Sequence, residues 1–293
     1  MEPPLGELAA TAAALTWAVA SILFARLGNS VSPVTLNFVK CGLGGLGLVL
    51  TMALLESRVW PGGLSASDWG WLGASAVLGL SWGDTAFFQA LNRLGPRRAL
   101  LFWALAPPLT AGLGAMFLGE AISGRMALGI LITMVGVAWV VAERSPDGRV
   151  DPRLWSGVLF GLGAALGQAL GSVFVKKGGL GISALEVSAV RLAVGSLALA
   201  VQVGLAGKWR ELGRFTAPAL GRDILVGTFI GTYLGIWLSV YALQHAFAGV
   251  AATLQSTSPL FVLPLAVLTG ERVSLRAVLG ACIAVAGVGL LLV

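Results

Sequence analysis

Lys40, Asp84 and Arg191 sit inside long apolar runs, where a bare charge is costly and marks a functional candidate by default. An acid and a base in such surroundings allow two kinds of chemistry. They can close an ion pair that ties two helices together, or the acid can stand alone and carry a proton or a cation. Lys40 lies about eight residues into its run and Asp84 about eight residues from the end of the next, so at ~1.5 Å per residue they reach a similar depth. A Lys40–Asp84 pair is one reading. An Asp84 that faces a cavity as a titratable site is the other. Arg191 has no acid at its own depth, and Glu186, five residues before it, is poorly spaced for a helical pair. Glu120 lies toward the same end as Arg191 and could reach it, as Glu271 could reach Lys40. If those pairs form, both bases are structural clamps. If they do not, the planar fork of Arg191 suits a carboxylate or a phosphate.

A second set of residues could shape a pocket around these charges. Trp17, Trp82, Trp103, Tyr233, Trp237 and Tyr241 fall well inside apolar runs, with Gln89, Gln168, Gln255 and Ser256 beside them. Amphipathic rings with a few placed amides make a small-molecule site, and rings around Asp84 would hold an organic cation. The alternative for each ring is plain packing or contact with lipid. Trp60, Trp69, Trp155 and Trp209 lie near the ends of runs and fit interfacial belts. Catalysis is not expected: His245, at the end of a run, is the one histidine, and the chain lacks a paired nucleophile and base. Cys41 and Cys282 lie in separate apolar runs, so neither a disulfide framework nor a metal ligand set is implied. The GxxxxGK[ST] pattern does not occur, so neither nucleotide hydrolysis nor a cofactor is expected.

What must position these residues is a set of membrane-spanning helices. Of 293 residues, 57% are hydrophobic and 11% charged, against about 25% charged in a soluble domain. So few charges cannot cover a water-facing surface, and the chain reads as an integral membrane protein in a lipid bilayer. The net charge of +6 does not point to nucleic acid, because the bases are scattered through gaps and form no stripe. Crossing ~30 Å of hydrocarbon takes roughly 20 apolar residues. Ten segments answer to that: 7–25, 33–55, 69–91, 97–117, 126–142, 156–175, 184–205, 223–244, 247–268 and 276–293. The first reads as a spanning helix and not a signal peptide, since no basic stretch precedes it.

The chain repeats itself at half its length. LGEAISGRMALGILITMVGVAWVV (118–141) and TGERVSLRAVLGACIAVAGVGLLL (269–292) share Gly119/Gly270, Glu120/Glu271, Ser123/Ser274, Arg125/Arg276 and Gly136/Gly287, always 151 residues apart. The same offset pairs Lys40 with Arg191 and Pro108 with Pro259, and one residue more pairs 79–94 with 231–246, so that Asp84 meets Ile236. Each half, 1–142 and 156–293 across a linker at 143–155, holds five segments. Five is odd, so the second half must enter from the opposite side. That predicts an all-α membrane protein of ten helices in two inverted five-helix repeats. Small residues such as Gly157, Gly161 and Gly167 let helix backbones approach closely in lipid. Pro107, Pro108, Pro259 and Pro264 free backbone carbonyls inside the fourth and ninth segments. Such carbonyls are tolerated where a cavity or a neighbour satisfies them, which marks these segments as cavity-lining, movable elements.

Three doubled features carry a family resemblance: the Gly-Glu turn at 119–120 and 270–271, the base early in segments two and seven, and the proline-bearing segments four and nine. Together they resemble the drug/metabolite transporter superfamily, EamA type, over essentially the whole chain. The resemblance implies a ten-helix secondary transporter with a central cavity between its halves. It would move a small organic metabolite by alternating access, often as an exporter. On that basis Trp17, Trp82, Asp84, Gln89, Trp103, Gln168, Arg191, Tyr233, Trp237 and Gln255 are the expected substrate-binding residues, and an amino acid or similar zwitterion suits them best. The alternatives are an organic-cation or drug exporter built on a free Asp84, and a flippase for a lipid-linked substrate. Proton coupling through Asp84 and a homodimer are open. Thirteen bases lie in gaps on the side away from the N-terminus and four on its own side. The positive-inside rule then puts both termini outside a bacterial inner membrane, whereas the resemblance implies cytoplasmic termini.

Overall fold

A computed structural model of the chain describes residues 5–118, 123–141, 152–179, 181–245, 254–268 and 274–290. Among these residues the regular structure is helical throughout, without strands. The first half comprises α1 (Leu5–Leu27), α2 (Pro33–Glu56), α3 (Ala66–Ser75), a π-helical segment (Ala76–Gly83), α4 (Asp84–Trp103), α5 (Ala106–Leu118) and α6 (Gly124–Val141). The second comprises α7 (Leu154–Gly178), α8 (Ala184–Leu205), a 3-10 turn (Trp209–Thr216), α9 (Pro218–Gly227), a second π-helical segment (Thr228–Leu234), α10 (Gly235–His245), α11 (Ser258–Leu268) and α12 (Leu275–Leu290).

Local chemistry sets the boundaries. Ser65 and Asp68 form a reciprocal capping box at the start of α3, and Ser183 and Glu186 do the same for α8. Gly95 holds φ at 76° inside α4. That positive φ ends the third segment, and Pro96 then starts the fourth with its fixed φ and no N–H to satisfy. Five helical stretches are long and apolar enough to cross a membrane: Leu5–Leu27, Pro33–Glu56, Leu154–Gly178, Ala184–Leu205 and Pro218–Ala242. Two of the other expected spans are interrupted. The fourth segment breaks at Ala104–Leu105 and the ninth at Ser256–Thr257. Both breaks fall just before the prolines at 107–108 and 259. There, Leu105 N–H bonds back to Phe102 O at 3.0 Å and Thr257 N–H to Leu254 O at 3.1 Å, each a tightened turn three residues long.

Helices pack through their small residues. A Cβ built on Gly136 would come within 2.5 Å of the Ala284 backbone N, and one on Gly287 within 2.5 Å of the Thr133 backbone N. Thus α6 and α12, repeat mates in sequence, touch backbone to backbone. Gly44 and Gly45 of α2 receive Leu192 of α8, and Gly44 also receives Thr232. The backbone N–H of Ser32, just before α2, donates to Glu211, which follows α8. Arg58, just after α2, pairs with Glu186 in the first turn of α8 at 3.0 Å. These two ties mean that α2 and α8 run in opposite directions side by side.

Candidate functional site

The site grows from the π-helical segment at 76–83. A π turn leaves carbonyls out of register with their usual donors, and such segments cluster at functional positions. Here the side chain of Asn37 on α2 supplies the donors. Its amide nitrogen lies 2.8 Å from Leu80 O, 3.2 Å from Ser81 O and 2.9 Å from Thr85 Oγ1. Its own carbonyl oxygen accepts from the Cys41 thiol at 3.4 Å. Asn37 is fully buried, so without these bonds the amide would be stranded at a penalty of about 1–3 kcal/mol.

Asp84 follows the π turn directly, and one helical turn beyond Asn37 stands Lys40. Lys40 Nζ and Asp84 Oδ2 are 2.5 Å apart, with side chains 0% and 2% exposed. At that distance and an effective dielectric of about 20 the gross attraction is ~7 kcal/mol, most of it offset by taking both charges out of water. Rings enclose the pair: Lys40 Nζ is 6.0 Å from the centroid of Trp17 and 5.6 Å from that of Phe88. Trp17 in turn lies 5.5 Å from Trp103, and Trp103 5.0 Å from Phe87. Trp103 is the last residue of α4, at the break in the fourth segment. Pro107 and Pro108 have no N–H to donate to the Trp103 and Ala104 carbonyls, which belong to the turn beside the aromatic wall.

Arg191 on α8 is 8% exposed, and its Nε finds no hydrogen-bond partner among the described residues. Its guanidinium lies against two glycines: a Cβ on Gly79 would come within 3.4 Å of Nη2, and one on Gly171 within 3.6 Å. Asp84 acts on Arg191 through space, although its carboxylate is bonded to Lys40. Among the described residues the centre therefore holds two bases and one acid. Glu120 and Glu271, the other acids expected to clamp Arg191 and Lys40, lie outside the described residues. Glu186 is engaged at the end of α8 with Arg58 and Ser183.

The remaining expected residues are spread more widely. Trp82 is 45% exposed and packs toward Gly167 of α7. Gln89 is drawn to Arg93, which donates to both its backbone and side-chain oxygens. These two, with Asn92, Arg153 and Ser156, line a separate cavity of about 370 Å³ between the stretch of α4 just before Gly95 and the start of α7. Gln168 is half-buried on α7. Gln255 is half-buried at the break in the ninth segment, and its Nε2 has no partner among the described residues. Tyr233 shares a hydrogen bond of 2.7 Å with Thr51 and lies 5.9 Å, edge-on, from Trp237. Tyr241 stacks on His245 at 3.9 Å.

Sequence reasoning did not single out Asn37, Thr51, Ser81 or Gln202. The repeat carried the signal for most of them. Gln202 donates to Ser81 Oγ at 2.7 Å, just as Thr51 meets Tyr233. Thr51 and Gln202 are 151 residues apart, and Ser81 and Tyr233 are 152 apart. The two bonds are one contact made twice, once in each direction between the halves.

The break in the fourth segment thus abuts a buried charged centre in an all-helical fold. The chain belongs to the EamA-like transporter family, whose model matches residues 4–142 and again 155–293. It is similar to the uncharacterized transporter YvbV of Bacillus subtilis (strain 168), at 27% identity over 211 residues. That match covers 68% of this chain and 62% of the relative's length. A crystal structure described only as that of a protein shares the fold, with a TM-score of 0.65 at 18% identity over 97% of this chain and 95% of the other.

Proposed function

We propose that the chain is a ten-span secondary transporter, built as inverted repeats at 1–142 and 156–293 joined through 143–155. It exports a small organic metabolite, an amino acid or similar zwitterion, across the bacterial inner membrane by alternating access. The observation that carries this reading is the pair of broken helices at 104–105 and 256–257, the first of them abutting the Trp17–Lys40–Asp84 centre. Discontinuous helices at the interface of two repeats are where secondary transporters bind substrate and coupling ions. The opposed directions of α2 and α8 and the doubled bond between halves support the inversion.

The zwitterion draws support from two features. Arg191 offers a fork for a carboxylate. The carbonyls of Trp103 and Ala104, deprived of donors by Pro107 and Pro108, offer acceptors for an ammonium group. A cation or drug exporter requires Asp84 to be free, whereas its carboxylate is bonded to Lys40. Proton coupling, on this reading, runs through Asp84 when movement of the halves opens its contact with Lys40. The charge bias of thirteen against four orients both termini outward. The backbone-close faces of α6 and α12 are spent within one chain, so a homodimer would use other surfaces.

The test is counterflow in proteoliposomes holding the purified chain, with labelled amino acids, nucleosides, sugars and quaternary amines, with and without an imposed pH gradient. At least one amino acid should accumulate in exchange. Movement of quaternary amines alone, or of nothing in the panel, overturns the reading.

A further inference from the structure

We infer that the buried centre is a carboxylate receptor: Arg191 takes the anionic group of the transported molecule, and the charge balance of the centre rejects cations. The inference deepens the transporter reading and rests on it for the word "transported" alone. Its first support is the Arg191 side chain itself, which is more than nine-tenths buried and whose Nε has no partner among the described residues. A buried guanidinium without an anion is expensive, by several kcal/mol even after relaxation. Its second support is what lies against the fork. Gly79 and Gly171 sit beside Nη2, where a Cβ on either would be in ordinary van der Waals contact, and neither carries a side chain that could pair with it.

Third is the arithmetic of charge. Lys40 and Asp84 are paired at 2.5 Å, so among the described residues the centre holds one more base than acid, a net positive charge in the low-dielectric interior. One carboxylate balances it. A cation would meet repulsion, and a phosphate dianion would overshoot. The repeat makes the same point from the sequence. In the first half the base at position 40 is answered by the acid at position 84; in the second half the position equivalent to Asp84 is Ile236, and it is buried. The acid missing from the second half is the one the ligand brings. Arg pairs with carboxylates through two parallel N–H bonds, so a single such group can satisfy the fork.

The experiment uses the full chain purified in detergent, with ligand binding read from tryptophan fluorescence, since Trp17 and Trp103 sit by the centre. Probes are amino acids, the matching amino-acid amides, short-chain monocarboxylates, inorganic phosphate and quaternary amines. Carboxylates should bind, and each amide should bind ~30-fold or more weakly than its acid, the loss expected when a buried charge is left unpaired. Arg191→Gln should erase that discrimination between acid and amide. Affinity for carboxylates should follow net charge, rising in Asp84→Asn and falling in Lys40→Met. Amides equal to acids, discrimination that survives Arg191→Gln, or carboxylate binding that falls in Asp84→Asn would overturn the receptor. If Asp84→Asn does not fold, Lys40→Met and Arg191→Gln decide the matter on the same scale. Carboxylate binding that needs Arg191 in a protein that moves nothing in proteoliposomes would sink the transporter reading and leave the receptor intact. Amino-acid transport without that dependence would do the reverse.

Discussion

Removing Asp84 should harm the protein more than removing Lys40, because Arg191 stands ready to take over only one of the two vacated partners. Asp84→Asn leaves Lys40 and Arg191, 0% and 8% exposed, with no acid at the centre among the described residues. Stranding a buried charge in this way costs about 3–5 kcal/mol, and two cations at close quarters push it to the upper end, ~5 kcal/mol. Lys40→Met leaves Asp84 beside Arg191, which already feels it through space. The loss is then a buried hydrogen bond and some repositioning, ~2 kcal/mol. The double variant Lys40→Met/Asp84→Leu keeps the volume and removes both charges, so it should lie within about 1 kcal/mol of wild type. At roughly 2–4 °C per kcal/mol, thermal unfolding in detergent should show drops of ~10–20 °C, ~4–8 °C and under ~4 °C respectively. Equal losses in the two single variants would refute the role given to Arg191. A double variant as unstable as Asp84→Asn would refute the cancellation itself.

Two further outcomes test the frame around the site. Glu211 is half-buried, and the partial loss of water favours its neutral form, but the Ser32 hydroxyl and backbone N–H, Lys208 and Thr35 outweigh that and hold its pKa down to about 2. The folded value lies below the ordinary 4.5, so its stabilisation is present above pH 4.5 and lost as pH falls from there toward about 2. Glu211→Gln should therefore unfold ~1 kcal/mol more easily at pH 7, the worth of a helix cap, and match wild type near pH 2 in a pH series of melting curves. Gly136→Ala should cost ~1–3 kcal/mol, because its Cβ would meet the Ala284 backbone N at 2.5 Å and force α6 and α12 apart. Gly42→Ala, with open space at its Cβ, is the silent control in the same melting assay; equal effects at the two glycines would sink the packing argument.

Depth in the membrane was readable from the sequence, and direction around each helix was not. Counting residues along two apolar runs brings Lys40 and Asp84 to one level, and they lie 2.5 Å apart. The prolines at 107, 108 and 259 marked the fourth and ninth segments as unusual, and only the structure showed helix breaks just before them. Rotation is a different matter. Trp82, two residues before Asp84, is 45% exposed, and Gln89 belongs to an end cavity with Arg93. In a chain this rich in small apolar residues no polar stripe tells the inner face from the outer. The π-helical segment at 76–83 adds to the difficulty, because its i→i+5 turns advance each residue through a smaller angle than an α-helix does and so shift every later side chain off the α-helical register.

The sequence by itself therefore determined the membrane, the repeat, the family and the set of charges that must be answered somewhere in the interior. It could do so because hydropathy, offsets of 151 and helical rise are properties of the chain in order. Only the tertiary structure decided that Lys40 takes Asp84, that Asn37 mends the π turn, and that Arg191 is left between two glycines without a partner among the described residues. Those choices depend on which helix lies against which and at what rotation. Contacts between backbones across the two halves set both.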